Sequence, residues 1–248
     1  MQGFNILKEN TLSQKLNALR QIKSQDEIEL IKKAQKITDD AFSHILNFIK
    51  SGVTEKEIAL ELEFFMRKSG SEGVAFDTIA VSGKNSSMPH GVPTDKPLEK
   101  GDFITMDFGA KWQGYCSDMT RTVALGKVTD KQRFVYDTVL KAQKAALDVI
   151  KAETICFDVD KAARDIIDNA GFKDCFGHGL GHSVGLYIHE SPACNKRDMT
   201  PLKSGMIMTV EPGIYLENEF GVRIEDMVLV TENGYQNFTK SPKELIIL

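Results

Sequence analysis

Hydrophobic positions repeat along this chain with two periods, and the periods alternate. Ile31, Ala34, Ile37, Ala41, Ile45 and Ile49 recur at three- and four-residue steps, the spacing of one helical face. Ser24 followed by Glu27 forms a capping box ahead of that stretch, since the hydroxyl accepts from the first turn while the glutamate reaches back to the cap. Thr54 with Glu57 opens a second helix through Ile58, Leu62, Phe65 and Met66 toward Gly70, and Thr129 with Gln132 opens a third through Val135, Val139, Ala142, Ala146 and Val149. Asp158 is expected to cap a fourth, ending at Ala170 and Gly171. After each pair, apolar β-formers broken by glycine predict strands and hairpins.

The order long helix, shorter helix, strand-rich segment occurs twice. KAQK stands in both long helices, at 33–36 and 141–144, and PLEKGDFITMDFG (97–109) aligns without a gap on PLKSGMIMTVEPG (201–213). Asp107 falls on Glu211 in that alignment. Each strand then turns, near 111–114 or 217–221, and the return strand carries Asp118 or Glu225. One acidic residue in an apolar strand belongs by default to a solvated face. Four at matching positions predict two halves facing each other across a pseudo-two-fold axis, an arrangement that builds a two-metal site.

Three of the five histidines lie in FGHGLGHSVGLYIHE (176–190). Its glycines would each cost a helix roughly 1 kcal/mol relative to alanine, which excludes a helical His-x-x-x-His zinc site. In an extended chain His178 and His182 share a face, and His189, an odd number of positions further on, needs a bulge or bend to join them. Converging carboxylates need cations, because like charges about 4 Å apart repel by roughly 4 kcal/mol per pair at an effective dielectric near 20. Two divalent ions balance four carboxylates, and one neutral imidazole completes an oxygen-rich set suited to Mn(II), Co(II) or Zn(II). Such a pair supports metal-assisted hydrolysis.

Composition narrows the class. A chain of 248 residues, 42 % hydrophobic and 27 % charged, has material for a sizeable core. A net charge of −4 without any long Lys/Arg run excludes a nucleic-acid footprint. The absence of a signal-like opening or a membrane-length apolar run predicts a cytoplasmic protein with no membrane partner. Cys116, Cys156, Cys175 and Cys194 show no Cys-x-x-Cys spacing and are expected to be reduced thiols without a role.

Five segments together carry a family resemblance: FDTIAVSGKNSSMPHG, GDFITMDFGAKWQGYCSDMTRT, FGHGLGHSVGLYIHE, TVEPGIY and GVRIEDMVLVT. From about residue 22 to the end, the chain resembles the catalytic domain of the pita-bread metallopeptidases, and within them the Xaa-Pro branch of aminopeptidase P and prolidase. The resemblance implies an α+β fold with helices outside a curved antiparallel sheet. It implies a catalytic domain over 23–248, with 1–22 as a linker or the remnant of a preceding domain, so that a catalytic-domain fragment is expected.

By the same resemblance Asp107, Asp118, His182, Glu211 and Glu225 are the metal ligands, Asp118 and Glu225 bridging two ions, with Mn(II) favoured over Co(II) or Zn(II). Glu211 would also shuttle the proton from the nucleophilic water. His90 and His189 would contact substrate and stabilise the tetrahedral intermediate, His178 would line the cleft, and Arg223 would orient carboxylates. His44 receives no role. The implied reaction cleaves between an N-terminal residue and proline in a peptide substrate, in an enzyme for which a homodimer is open.

Methionine aminopeptidases are the alternative on the same fold, but they usually carry Met after Glu-Pro and a Gln-Phe-Glu-His-like run where this chain has EPG and RIED. A non-catalytic binding member is disfavoured by the presence of all five ligands. Ser183 stands where the family often has glycine, and Tyr187 where it frequently has an acidic residue. Neither is a ligand, so changes in cleft shape rather than in chemistry are expected.

Overall fold

Helix pairs and sheets alternate through residues 11–248, the part of the chain that the computed structural model describes. In the segment expected as linker or remnant over 1–22, a helix occupies the described part, α1 (Thr11–Gln21); residues 1–10 of that segment lie outside the described residues. α2 (Gln25–Ile45), α3 (Glu55–Lys68) and α4 (Asp130–Val149) all begin at the expected capping boxes, with both reciprocal hydrogen bonds formed at Ser24/Glu27, Thr54/Glu57 and Thr129/Gln132.

Two helix boundaries differ from expectation. The period of α2 runs on to Ile49, but the helix stops at Ile45, where tighter turns from Asn47 N to His44 O and Phe48 N to Ile45 O take over. α5 (Cys156–Ile167) starts before Asp158, which lies in its first turn and is not the cap. Its leading amides are satisfied from a distance instead: Cys156 N donates to Thr200 O at 3.0 Å and Phe157 N to Asp198 O at 2.9 Å. A wider turn over 168–172, with Gly171 at φ 91°, closes the helix.

The strands repeat the same order in each half. In the first, β1 (Gly73–Val74) and β2 (Ile79–Ser82) lead to β3 (Phe103–Phe108), then through β4 (Ala110–Trp112) and β5 (Tyr115–Cys116) into β6 (Met119–Ala124). In the second, β7 (Gly181–Ser183) and β8 (Glu190–Cys194) lead to β9 (Ile207–Val210), then through β10 (Gly213–Leu216) and β11 (Phe220–Arg223) into β12 (Asp226–Thr231), with β13 (Gly234–Asn237) added at the edge. The central sheets run β2-β3-β6 and β13-β12-β9-β7-β8, with antiparallel pairing throughout.

Each half's inner hairpin reaches across to the other half. Arg223 N donates to Thr122 Oγ1 at 3.2 Å and Glu225 N to Thr120 O at 3.1 Å, while Cys116 N donates to Gly185 O at 2.8 Å. α2 and α3 bury their apolar faces on the first sheet, with Ile45, Ile58 and Leu62 against Ile104, Met106 and Phe108; α4 and α5 cover the second, with Val139 and Val159 among Met208, Val210 and Val228.

A buried arginine ties the halves together. All five guanidinium donors of Arg121, on β6, are used: Nε on Pro242 O, Nη1 on the carbonyls of Thr120 and Glu225, and Nη2 on Asp226 Oδ1 and Ser241 O. Asp226 Oδ2 accepts from Lys243 Nζ at 2.6 Å, Asn237 Nδ2 at 2.8 Å and Gln143 Nε2 at 3.0 Å. Burial alone would raise the Asp226 pKa, but Arg121 and Lys243 outweigh it and hold the carboxyl below its usual range. Arg121→Met leaves Asp226 with Lys243 as its one cation and Oδ1 without its donor, and should lower unfolding free energy in urea by about 3 kcal/mol. Adding Asp226→Asn should recover part of the loss.

Candidate metal centre

The bends of the four-strand turns place the acidic residues. Asp107 lies near the end of β3, opposite Thr120, and Asp118 lies immediately before β6. Glu211 follows β9 at its bend into β10, and Glu225 immediately precedes β12. Ligand oxygens of Asp107, Asp118 and Glu225 come within 4.8 Å of one another. Glu211 and His182 close the group: His182 Nε2 is 3.4 Å from Glu211 Oε1 and 3.6 Å from Asp118 Oδ2. His182 Nδ1 lies 3.2 Å from Ser183 O; a proton placed there leaves the Nε2 lone pair facing the carboxylates.

Three of the four carboxylates accept a hydrogen bond from a neighbouring side chain. Arg223 Nη2 donates to Asp107 Oδ2 at 2.7 Å, and Thr120 Oγ1 to Glu225 Oε2 at 2.7 Å. Thr209 Oγ1 donates to Glu211 Oε1 at 3.1 Å. Asp107 Oδ1 and Glu225 Oε1 are buried with no hydrogen-bond partner among the described residues. Unpartnered buried carboxylate oxygens are costly, and two of them converging beside an imidazole lone pair form a donor set that fits divalent cations.

Arg223 extends the network outward. Its Nη1 donates to Tyr215 Oη at 2.7 Å and to Pro89 O at 3.2 Å, and Tyr215 Oη lies 2.8 Å from His178 Nε2. With His178 Nδ1 donating to Gly179 O, the tyrosine hydroxyl donates to Nε2, giving a chain from Asp107 through Arg223 and Tyr215 to His178. Tyr215, Thr120 and Thr209 were not singled out from the sequence. The two threonines stand two positions from a carboxylate along a strand, on the same face, and that period was the available signal.

The histidine segment is less regular than a strand. Gly181–Ser183 and the terminal Glu190 join the sheet, and His178 lies before them in a loop, so His178 and His182 do not share one strand face. The expected bulge or bend takes the form of a register shift between His182 and Ser183 followed by a turn outside the sheet, and the His189 ring stands edge-on to His182 at 4.5 Å between centroids. A cavity of about 360 Å³ opens over the carboxylates, lined by His90, His178, His182, His189 and Arg223 among others, with Phe76, Ile79 and Ile188 as apolar wall. Glu225 lies beneath it, 1 % exposed. His44 is elsewhere, 2.6 Å from Glu61 and stacked on Phe65. The four cysteines are free.

The model of metallopeptidase family M24 matches residues 29–232. The Xaa-Pro dipeptidase of Pyrococcus furiosus is 47 % identical over 92 % of this chain and 66 % of its own length. Among solved structures, the Xaa-Pro dipeptidase from Bacillus anthracis superposes with a TM-score of 0.93 at 50 % identity, covering 94 % of this chain and 66 % of that one. An X-Pro aminopeptidase from Thermotoga maritima gives 0.93 at 45 %, covering 95 % of this chain and 67 % of that one. The chain thus spans about two thirds of the length of these relatives.

Electrostatics mark the group as strained without cations. Burial, reinforced by neighbouring carboxylates, raises the pKa values of Asp118 and Glu225 well above the usual range. Burial pushes Glu211 up to about 8 against the pull of Arg223, and pushes His182 down to about 4 and His178 to about 3.

In metal-free protein, folded Glu211 keeps its proton to about pH 8, whereas the unfolded side chain loses it near 4.5. The unfolded state binds fewer protons across that interval, so this contribution to stability falls as pH rises. The histidines act oppositely: lowered from 6.5, they cost stability as pH falls below that value. The melting temperature of chelated protein should therefore fall between about pH 7 and 8, and excess Mn(II) should abolish the slope. A flat or rising profile without metal would contradict this electrostatic picture.

Proposed function

The chain belongs to metallopeptidase family M24, and from that membership we propose that it is a Xaa-Pro peptidase, cleaving between an N-terminal residue and a following proline with two divalent ions. The carrying observation is the buried and half-buried set of Asp107, Asp118, His182, Glu211 and Glu225 at a partly apolar cavity. Likeness to Xaa-Pro dipeptidases and to an X-Pro aminopeptidase supports the choice of bond. These five side chains would hold the ions, which supply Lewis-acid polarisation of a carbonyl and a lowered pKa for water. The oxygen-rich set with one imidazole suits Mn(II) first, then Co(II) or Zn(II). Free cysteines fit a reducing, cytoplasmic setting.

The chain's own groups divide the remaining work. Glu211, whose Oε1 is fixed by Thr209, takes a proton from the attacking water on Oε2 and delivers it to the leaving proline nitrogen. His90 and His189, on the cavity lining, donate ring N–H groups to the oxyanion that develops on the scissile carbonyl. Arg223 keeps Asp107 in place and through Tyr215 orients His178 in the wall, while burial keeps that imidazole neutral. Phe76, Ile79 and Ile188 offer an apolar surface to the pyrrolidine ring. Proline lacks a backbone N–H and fixes φ, so its recognition depends on such a shaped wall rather than on a backbone donor.

Chelation should abolish hydrolysis of Ala-Pro peptides, and Mn(II) or Co(II) should restore it; full activity in exhaustively metal-free protein would refute the proposal. Restored enzyme should cleave Ala-Pro much faster than Met-Ala substrates, and the reverse preference would move the assignment to methionine removal. His90→Ala and His189→Ala should each lower kcat by about 10²-fold with metal content unchanged. His182→Ala should instead lose metal, as measured by elemental analysis.

A further inference from the structure

Both positions at which the motifs depart from the family pattern, Ser183 and Tyr187, touch the segment that precedes α2. Lys23 is 5 % exposed, and its ammonium donates to Ser183 Oγ at 3.1 Å and to Glu190 Oε2 at 3.0 Å. Its backbone N–H is itself anchored on Gly205 O at 2.9 Å. The other oxygen of Glu190 accepts from Tyr187 N at 3.2 Å. Gly185 lies so close that a Cβ there would come within 2.7 Å of both Glu190 carboxylate oxygens. Arg20 of α1 covers the Tyr187 ring, 4.6 Å from its centroid.

The loop from 184 to 190 is thus stapled at both ends by one buried cation. One staple is next to His182 and the other is next to His189. His189 is exposed and rests edge-on against His182, so its position follows from where its neighbour Glu190 is held. A buried ion pair contributes little net stability, because desolvation offsets the attraction. Its effect here is geometric.

We propose that Lys23 is a positioning residue for His189, acting through Glu190 and Ser183; this rests on the reading of His189 as a substrate-contacting group. The segment before α2 is then a working part of the site's wall. A small cavity between α1 and this loop, lined by Asn17, Arg20, Tyr187, His189, Glu190 and Ser191, gives the loop room to shift when the staple is lost.

The test is a pair of double-mutant cycles on metal-loaded enzyme with an Ala-Pro substrate. Lys23→Met should lower kcat by about tenfold to a hundredfold, with KM changed less and bound metal unchanged. Lys23→Arg should recover most of the loss. In a His189→Ala background Lys23→Met should cost less than about twofold, while in a His90→Ala background it should keep its full cost. Lys23→Met combined with Glu190→Gln removes both charges, and runs the same cycles if the single variant fails to fold. Independently of activity, the His189 ring resonances of metal-free protein should move in Lys23→Met and return in Lys23→Arg. Equal costs in the two histidine backgrounds, or unmoved His189 resonances, would overturn the proposal. Wild-type kcat in His189→Ala alone would instead refute the reading of His189, and the proposal with it, whereas a wild-type enzyme inert toward Ala-Pro would refute the proposed reaction while leaving the resonance test intact.

Discussion

Carboxylates that cannot stay ionised together are the constraint around which this molecule is organised. Asp107, Asp118 and Glu225 present ligand oxygens within 4.8 Å of one another, and Glu211 stands beside them across His182. At about 4 Å each ionised pair repels by roughly 4 kcal/mol even at an effective dielectric near 20. Only protons or cations relieve that repulsion. Arg223, Thr120 and Thr209 each secure one oxygen of a carboxylate, while Asp107 Oδ1 and Glu225 Oε1 find no partner among the described residues.

Duplication solves the problem of holding such a group rigid. Each half contributes one carboxylate at or just past the end of a central strand and one immediately before the return strand, so all four acidic side chains are placed by the ends of paired strands. Inner hairpins that cross between halves, with Glu225 N on Thr120 O and Cys116 N on Gly185 O, fix the distance between the two sets. Arg121 reinforces the join by donating to the Glu225 carbonyl while pairing with Asp226. The histidines stand outside the repeat. They come from an irregular stretch whose glycines permit close approaches: a Cβ on Gly181 would meet Thr209 O at 2.0 Å.

Local signals were legible in the sequence and long-range ones were not. Three capping boxes marked three helix starts because both partners lie within one turn. Asp158 misled because the true start of α5 is set by carbonyls of residues 198 and 200, some forty positions away. The four carboxylates could be found because the chain aligns with itself, and the need for a bulge or bend ahead of His189 followed from the parity of the spacing. Tyr215 stood inside a quoted motif yet carried no sign that its hydroxyl joins Arg223 to His178. α1 was missed although Leu12, Leu16 and Leu19 keep helical spacing; those side chains are exposed and mark no buried face.

The account stands most directly on the number of ions bound. Equilibrium dialysis of chelated protein against Mn(II), read by elemental analysis, should give two ions per chain, released together when Asp118→Asn or Glu225→Gln removes a carboxylate that would serve both. A stoichiometry of one or none in the intact chain, or two ions retained in both variants, would contradict the proposal that this carboxylate group exists to hold a metal pair.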